Sequence, residues 1–144
     1  MKRSIKIVNV VKRVSIVFIL SSVLFGCSAH SPMIIQDTTD AHIISEIKYP
    51  SHQNKVFLTE QALPANAEFE VIADIQVGKI WYGSSDSVYE SIATKARELG
   101  ADAVVEVRTW TQPSGFSWAA PHGSGKAVKL KDQNIIAQMD GEMK

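Results

Sequence analysis

Between residues 69 and 108 the hydrophobic period changes twice, and that change limits the fold more than any other feature of the chain. Phe69, Val71, Ala73, Ile75 and Val77 alternate with Glu70, Ile72, Asp74 and Gln76, the period of two that marks a half-buried strand. After Gly83 the period lengthens. Val88, Tyr89, Ile92, Ala96 and Leu99 recur at steps of three and four, which places them on one face of a helix. Ser87 followed by Glu90 has the spacing of a capping box, and Gly100 stands where a left-handed residue closes a helix. Ala103, Val105 and Val107 then alternate with Glu106 and Arg108, predicting a further strand that begins within two residues of the helix end.

A shorter strand over residues 55–59 precedes these elements, separated from them by a loop containing Pro64 and Asn66. A last strand over residues 126–131 puts Val128 and Leu130 on one face and Lys129 and Lys131 on the other. The predicted order is β-β-α-β-β, an α+β domain over residues 55–131 with one helix packed on one face of a four-stranded sheet. The 19 residues between Tyr82 and Asp102 are enough for a crossover between parallel strands, right-handed if those strands are neighbours. A domain this small buries only about 60% of the surface its unfolded chain exposes. With no disulfide to staple it, self-association into a homo-oligomer is expected.

The first 26 residues are of another kind. Lys2, Arg3, Lys6, Lys12 and Arg13 precede an apolar run from Val14 to Phe25 broken only by serines, a charged region followed by a hydrophobic one as in a secretory signal. That run falls well short of the roughly 20 residues a membrane-crossing helix requires. It ends in Leu24-Phe25-Gly26-Cys27, which resembles the lipobox of bacterial lipoproteins: an aliphatic residue, a variable one, a small one, then cysteine. The resemblance implies cleavage before Cys27 and attachment of diacylglycerol to its thiol. Cys27 is the only cysteine in the chain, so an internal disulfide does not compete for it. Ser28 follows where an Asp would direct retention at the inner membrane, so the resemblance implies an outer-membrane lipoprotein facing the periplasm. Residues 27–54, mostly polar with Pro32 and Pro50, are read as the lipidated N-terminus and a tether. A short strand or helical turn is allowed around residues 41–48, and residues 132–144 form a tail.

All five basic residues ahead of Cys27 leave with the leader, and the remainder carries 10 basic against 15 acidic side chains, a net charge of −5. A nucleic-acid partner would want a basic face, and charge gives no help in holding the protein to anionic headgroups. The acyl chains are the expected membrane attachment.

Residues 91–108, Ser-Ile-Ala-Thr-Lys-Ala-Arg-Glu-Leu-Gly-Ala-Asp-Ala-Val-Val-Glu-Val-Arg, resemble the helix-to-strand signature of the YbjQ-like domains, a family labelled heavy-metal-binding, and of the related Rcs stress-sensor outer-membrane lipoprotein. Gly125-Lys-Ala-Val-Lys-Leu130 is similar to the closing strand of small lipoproteins with this helix. The likeness spans about residues 69–130 and implies a compact α+β fold, with ring-forming oligomers among cytosolic members and stress sensing in the envelope. The Rcs-type sensor depends on disulfides between domain cysteines, and this chain has none there, so that mechanism is not carried over.

Few residues promise chemistry. His122 is the one histidine inside the expected domain and the only weak candidate for a metal ligand, while His30, His42 and His52 lie in the tether without paired spacing. No cofactor is expected. Ser84, Ser85, Ser87 and Ser91 cluster near the helix start, where hydroxyls cap backbone N–H groups, and no histidine nearby in sequence could serve as a base. Residues 123–126, Gly-Ser-Gly-Lys, lack phosphate-loop spacing and read as a flexible approach to a strand. Glu70 with Asp74 and Asp102 with Glu106 read as solvated strand faces. The unusual stretch is 111–123, an expected loop holding Pro113, Gly115, Phe116, Trp118, Pro121 and His122 directly after Trp110. Loops of that length tend to carry function. Either Phe116 and Trp118 fold back to complete a small core, or they stay exposed as an anchor for a partner, ligand or membrane interface. Trp81, Tyr82, Trp110, Phe116 and Trp118 are therefore the candidate partner-binding residues. The expectation is a non-enzymatic envelope lipoprotein, a protein-interaction or stress-sensing module, with a small-molecule or metal-binding lipoprotein as the alternative.

Overall fold

The structure is a computed structural model and describes residues 34–144. The leader and Cys27 lie outside the described residues. The fold is α+β, with one main helix on a mixed sheet that has six strands where four were expected. The strands are β1 (Thr38–Ile43), β2 (Phe57–Leu58), β3 (Phe69–Gly78), β4 (Ala103–Ser114), β5 (Ser117–Leu130) and β6 (Glu142–Met143), and the helix is α1 (Ser85–Glu98). They lie in the order β1-β3-β5-β4-β2-β6. Only the β2–β4 pair is parallel. β3 and β4 run in the same direction, as the crossover predicted, but β5 is inserted between them, antiparallel to both.

The two additional strands come from segments expected to be tether and tail. Both are edge strands, short and mostly polar, and their partners are remote in sequence, so no local periodicity announces them. β1 pairs antiparallel with β3 from Thr38 opposite Gly78 to Ile43 opposite Ala73. After β5 a 3₁₀ turn, Gln133–Gln138, leads to β6, which pairs with β2.

The helix matches its expected face, with Val88, Ile92, Ala93 and Ala96 buried. Its start differs: the helix begins at Ser85, and Ser87 Oγ donates to the Ser84 carbonyl (2.9 Å) where a capping box would have it accept from an N–H. Its end is as read. Gly100 has φ +76°, its N–H donates to Arg97 O (3.1 Å), and that of Ala101 donates to Ala96 O (3.0 Å), the two bonds of a Schellman closure. A Cβ at Gly100 would stand 2.6 Å from that of Tyr49.

Three bulges redistribute the side chains that alternation had assigned. Between Val71 and Ala73 the pairing of β3 with β5 slips by a residue, so Ile72, Ala73, Ile75 and Val77 join the core under the helix while Val71 packs on the opposite side. In β4, Glu106 and Val107 face Gly125 alone, and Glu106 takes φ +53°, as the first residue of such a bulge does. Val104 and Val107 therefore reach the helix side, and Ala103 and Val105 the other. That second side is closed by Leu63, Ile135, Ile136 and Met139 around Phe57, Val128 and Leu130. Gly123 and Gly125, expected in a flexible approach, lie inside β5 where a Cβ would meet Val88 (2.5 Å) and Val104 (2.6 Å). Glycine is what lets the helix and β4 side chains close over this strand.

Candidate functional site

The expected 111–123 loop is a β-hairpin. β4 and β5 are joined by Gly115-Phe116, with Ser114 opposite Ser117. Gly115 has φ +51°, and a positive φ at the first of two turn residues is the type II′ pattern, which calls for glycine. The third bulge places Trp118 and Ala119 opposite Pro113 alone. Proline has no N–H to give the ladder, so a bulge is one of the few strand positions that accommodates it. The composition that looked like a loop is thus the composition of a tight turn beside a bulge.

Sequence left two fates open for the aromatics, and the structure exposes them: Phe116 is 74% accessible, Trp118 83%, Trp81 61% and Tyr82 55%. Three of them meet. The Trp81 ring stands 6.4 Å from that of Phe116 and 6.1 Å edge-on from that of Tyr82. The backbone causes this. Phe116 N–H donates to Ile80 O (3.2 Å) and Lys79 N–H to Pro121 O (3.1 Å), tying the segment after β3 to the hairpin. A Cβ at Gly115 would fall 2.6 Å from Ile80 Cβ, so the turn glycine permits the approach as well as the turn. Trp118 sits two residues beyond Phe116, turned outward at the bulge.

Residues 34–37 fasten the same end. Gly115 N–H donates to Ile34 O (2.7 Å), the Ile34 side chain closes on Gly78, and Asp37 accepts from Ile80 N–H (3.0 Å) and pairs with Lys79 (3.4 Å). The described chain therefore starts at the hairpin tip, a placement with no sequence signal beyond the apolar Ile34-Ile35.

Trp110 does not join the exposed group. It is half-buried, stacked on His122 with centroids 6.1 Å apart, and its indole N–H donates to Gln112 Oε1 (3.0 Å). His122 itself is 2% exposed, with Nε2 3.0 Å from the Oγ of buried Ser114. Burial pushes its pKa below the ordinary imidazole value. The pair resembles a nucleophile and base in distance alone, since both residues are buried. Among the described residues no group of three or more His, Cys, Asp or Glu side chains is placed to hold a metal ion.

The helix serines bind within the fold: Ser91 Oγ donates to Ser87 O and accepts from Lys79 Nζ, both at 2.9 Å. Asp102, expected on a solvated face, accepts from Lys129 Nζ (2.8 Å) and Leu130 N–H (3.1 Å) with little exposure. Glu106 is gripped through both oxygens by Lys126 (3.0 and 2.9 Å). A separate cleft of about 440 Å³ is lined by Glu60, Asp86, Asp140 and Glu142 around Tyr89. Burial and then Glu60 raise the Tyr89 pKa.

A surface that sequence reading missed is the outer edge of β1. β1 ends the strand order, and Ile44 N–H donates back to Ile72 O (2.8 Å). By alternation the backbone groups of Thr38, Asp40 and His42 turn to β3, and those of Thr39, Ala41 and Ile43 turn outward. Comparison with family models, with curated proteins and with solved structures found no match to this chain.

Proposed function

We propose that this chain is a non-enzymatic lipoprotein of the bacterial cell envelope, held through acylated Cys27 at the outer membrane facing the periplasm, whose domain binds another protein. The lipobox over residues 24–27 supports the anchor. The observation that carries the binding role is the outer edge of β1, which no other strand among the described residues covers. Natural sheets blunt such edges with charge, proline or covering chain; β1 carries a single carboxylate, Asp40, with neither proline nor lysine, and turns the backbone groups of Thr39, Ala41 and the exposed Ile43 outward. Main-chain hydrogen bonds to an added strand would supply affinity, and side chains on alternate positions would supply selectivity. A second copy or another envelope protein fits this mode, and stress sensing would be one use of it. The metal-binding alternative has little support, because His122, the candidate ligand that sequence offered, is buried against Ser114 and Trp110.

The anchor is tested by mass spectrometry of the mature N-terminus, which should be a lipid-modified Cys27. The edge is tested by crosslinking in intact cells. Ala41→Pro removes an outward N–H and leaves the bonds to β3 in place, so it should abolish partner bands while the domain stays folded. Thr39→Pro should act alike. Unchanged bands in both variants would refute strand addition.

A further inference from the structure

We propose that the aromatic end of the domain, Phe116 with Trp81, Tyr82 and Trp118, sits in the headgroup region of the bilayer that holds Cys27, making a second membrane contact beside the lipid. The inference rests on Cys27 being acylated. It starts from where the described chain begins: the carbonyl of Ile34 accepts from the N–H of Gly115, the residue before Phe116. Cys27 is seven residues upstream of Ile34, and seven residues span at most about 25 Å when fully extended. The acyl chains therefore confine the hairpin tip, and no other end of the domain, to within that distance of the membrane.

The side chains at that end suit the location. Trp and Tyr combine a large apolar ring with one polar hydrogen and concentrate at membrane interfaces for that reason. Here two tryptophans, a tyrosine and a phenylalanine expose most of their surface within a few residues of one another in space or sequence. The net acidity does not oppose them, because insertion of neutral rings needs no charge attraction, and the cation and anion beside them, Lys79 and Asp37, pair with each other. Attachment also makes contact intramolecular: a short tether holds the rings at an effective concentration on the order of millimolar. A weak preference for the interface is then enough to keep them there. An unrelated protein bound at the same patch would have to enter the narrow space between tip and bilayer.

The test uses the full lipidated protein, purified from the bacterial membrane and reconstituted in phosphatidylcholine–phosphatidylglycerol vesicles with or without bromine on the acyl chains. Tryptophan emission should fall by about two-fold in brominated vesicles, because interfacial rings lie within reach of the bromines. The Trp81→Phe/Trp118→Phe protein keeps the aromatic surface and retains only Trp110, so its emission should be insensitive to bromine. Equal emission of the parent in both vesicle types, with lipid on Cys27 verified by mass, would overturn the membrane contact and leave the anchored-module reading intact. A photocrosslinker replacing Phe116 should label lipid. Labelling of a protein instead would likewise overturn the proposal. An unmodified Cys27 would overturn both readings together.

Discussion

Changing Ser114 to alanine removes one oxygen atom, yet it is expected to lower stability by about 1–3 kcal/mol, because the cost falls on the histidine left behind. Ser114 and His122 are 1% and 2% exposed, and their Oγ and Nε2 lie 3.0 Å apart. Because folding exchanges bonds to water for it, such a bond contributes only about 1 kcal/mol net, but stripping a buried ring nitrogen of its partner incurs its full desolvation cost. The void of a single hydroxyl adds a fraction of that at most. Urea denaturation followed by tryptophan emission measures the loss. The double change Ser114→Ala/His122→Leu removes both polar groups and should cost less than the two single changes added together, by about 0.5–3 kcal/mol. The same pair predicts a pH dependence. His122 is held below its ordinary value of 6.5 by burial, so below that pH the unfolded chain takes up a proton that the folded chain resists. The stability contributed by a neutral His122 should thus be fully present above about pH 6.5 and fall as the pH drops toward the folded-state pKa, where the loss levels off. Glu68, held below the carboxylate value by Lys131, and Glu70, held there by Ser45 and then Tyr49, add their losses only at more acid pH. A Ser114→Ala protein as stable as the parent, together with an unchanged slope below pH 6.5 in the double variant, would refute the reasoning.

Gly100→Ala should destabilise by at least about 1–2 kcal/mol from the left-handed backbone alone, with more from the Tyr49 contact, as read by the urea midpoint. Asp102→Ala removes the acceptor of Lys129 Nζ and Leu130 N–H and should cost about 1.5–3 kcal/mol in the same assay, the range for hydrogen bonds to a charged group. Glu106→Gly relieves a positive φ but breaks the grip on Lys126; the gain of about 1 kcal/mol and the loss of a half-exposed ion pair of about 0–1 kcal/mol should nearly cancel in the urea midpoint. Titration of the full protein with zinc should give no stoichiometric uptake that His122→Ala removes.

The helix was readable because every determinant is local: the spacing of Val88, Ile92 and Ala96 and the glycine at 100 lie within a dozen residues. The strands were readable as strands but not as faces. A bulge inserts one residue and reverses the alternation beyond it, and nothing at Ile72 or Glu106 marks the inserted residue in sequence. Glutamate in a left-handed conformation is the least expected of these, since glycine is the residue that favours it. The hairpin was hidden for the opposite reason, since Pro113, Gly115 and Pro121 each suit a loop and only the three-dimensional pairing assigns them to strands. The aromatic residues stand out in the sequence one by one. Their assembly was not visible, because Trp81 and Phe116 meet through the Ile80 carbonyl and Trp110 turns to His122 instead.

If both proposals hold, they constrain each other. β1 starts opposite Gly78 at the hairpin end and runs toward Ile43 opposite Ala73, so the open edge begins where the domain meets the bilayer and extends away from it by six residues, about 20 Å. With the aromatic tip seated in the headgroups, a strand adding to β1 must lie within that height above the membrane. The partner is then another protein whose own pairing segment is membrane-proximal, a second lipid-anchored copy being the simplest. A freely soluble protein would have to bring its strand down to the surface, displacing headgroup water as it docks. Lengthening the chain between Cys27 and Ile34 tests this coupling, because releasing the tip from the bilayer should weaken crosslinks at β1 between anchored proteins and leave those to soluble ones unchanged.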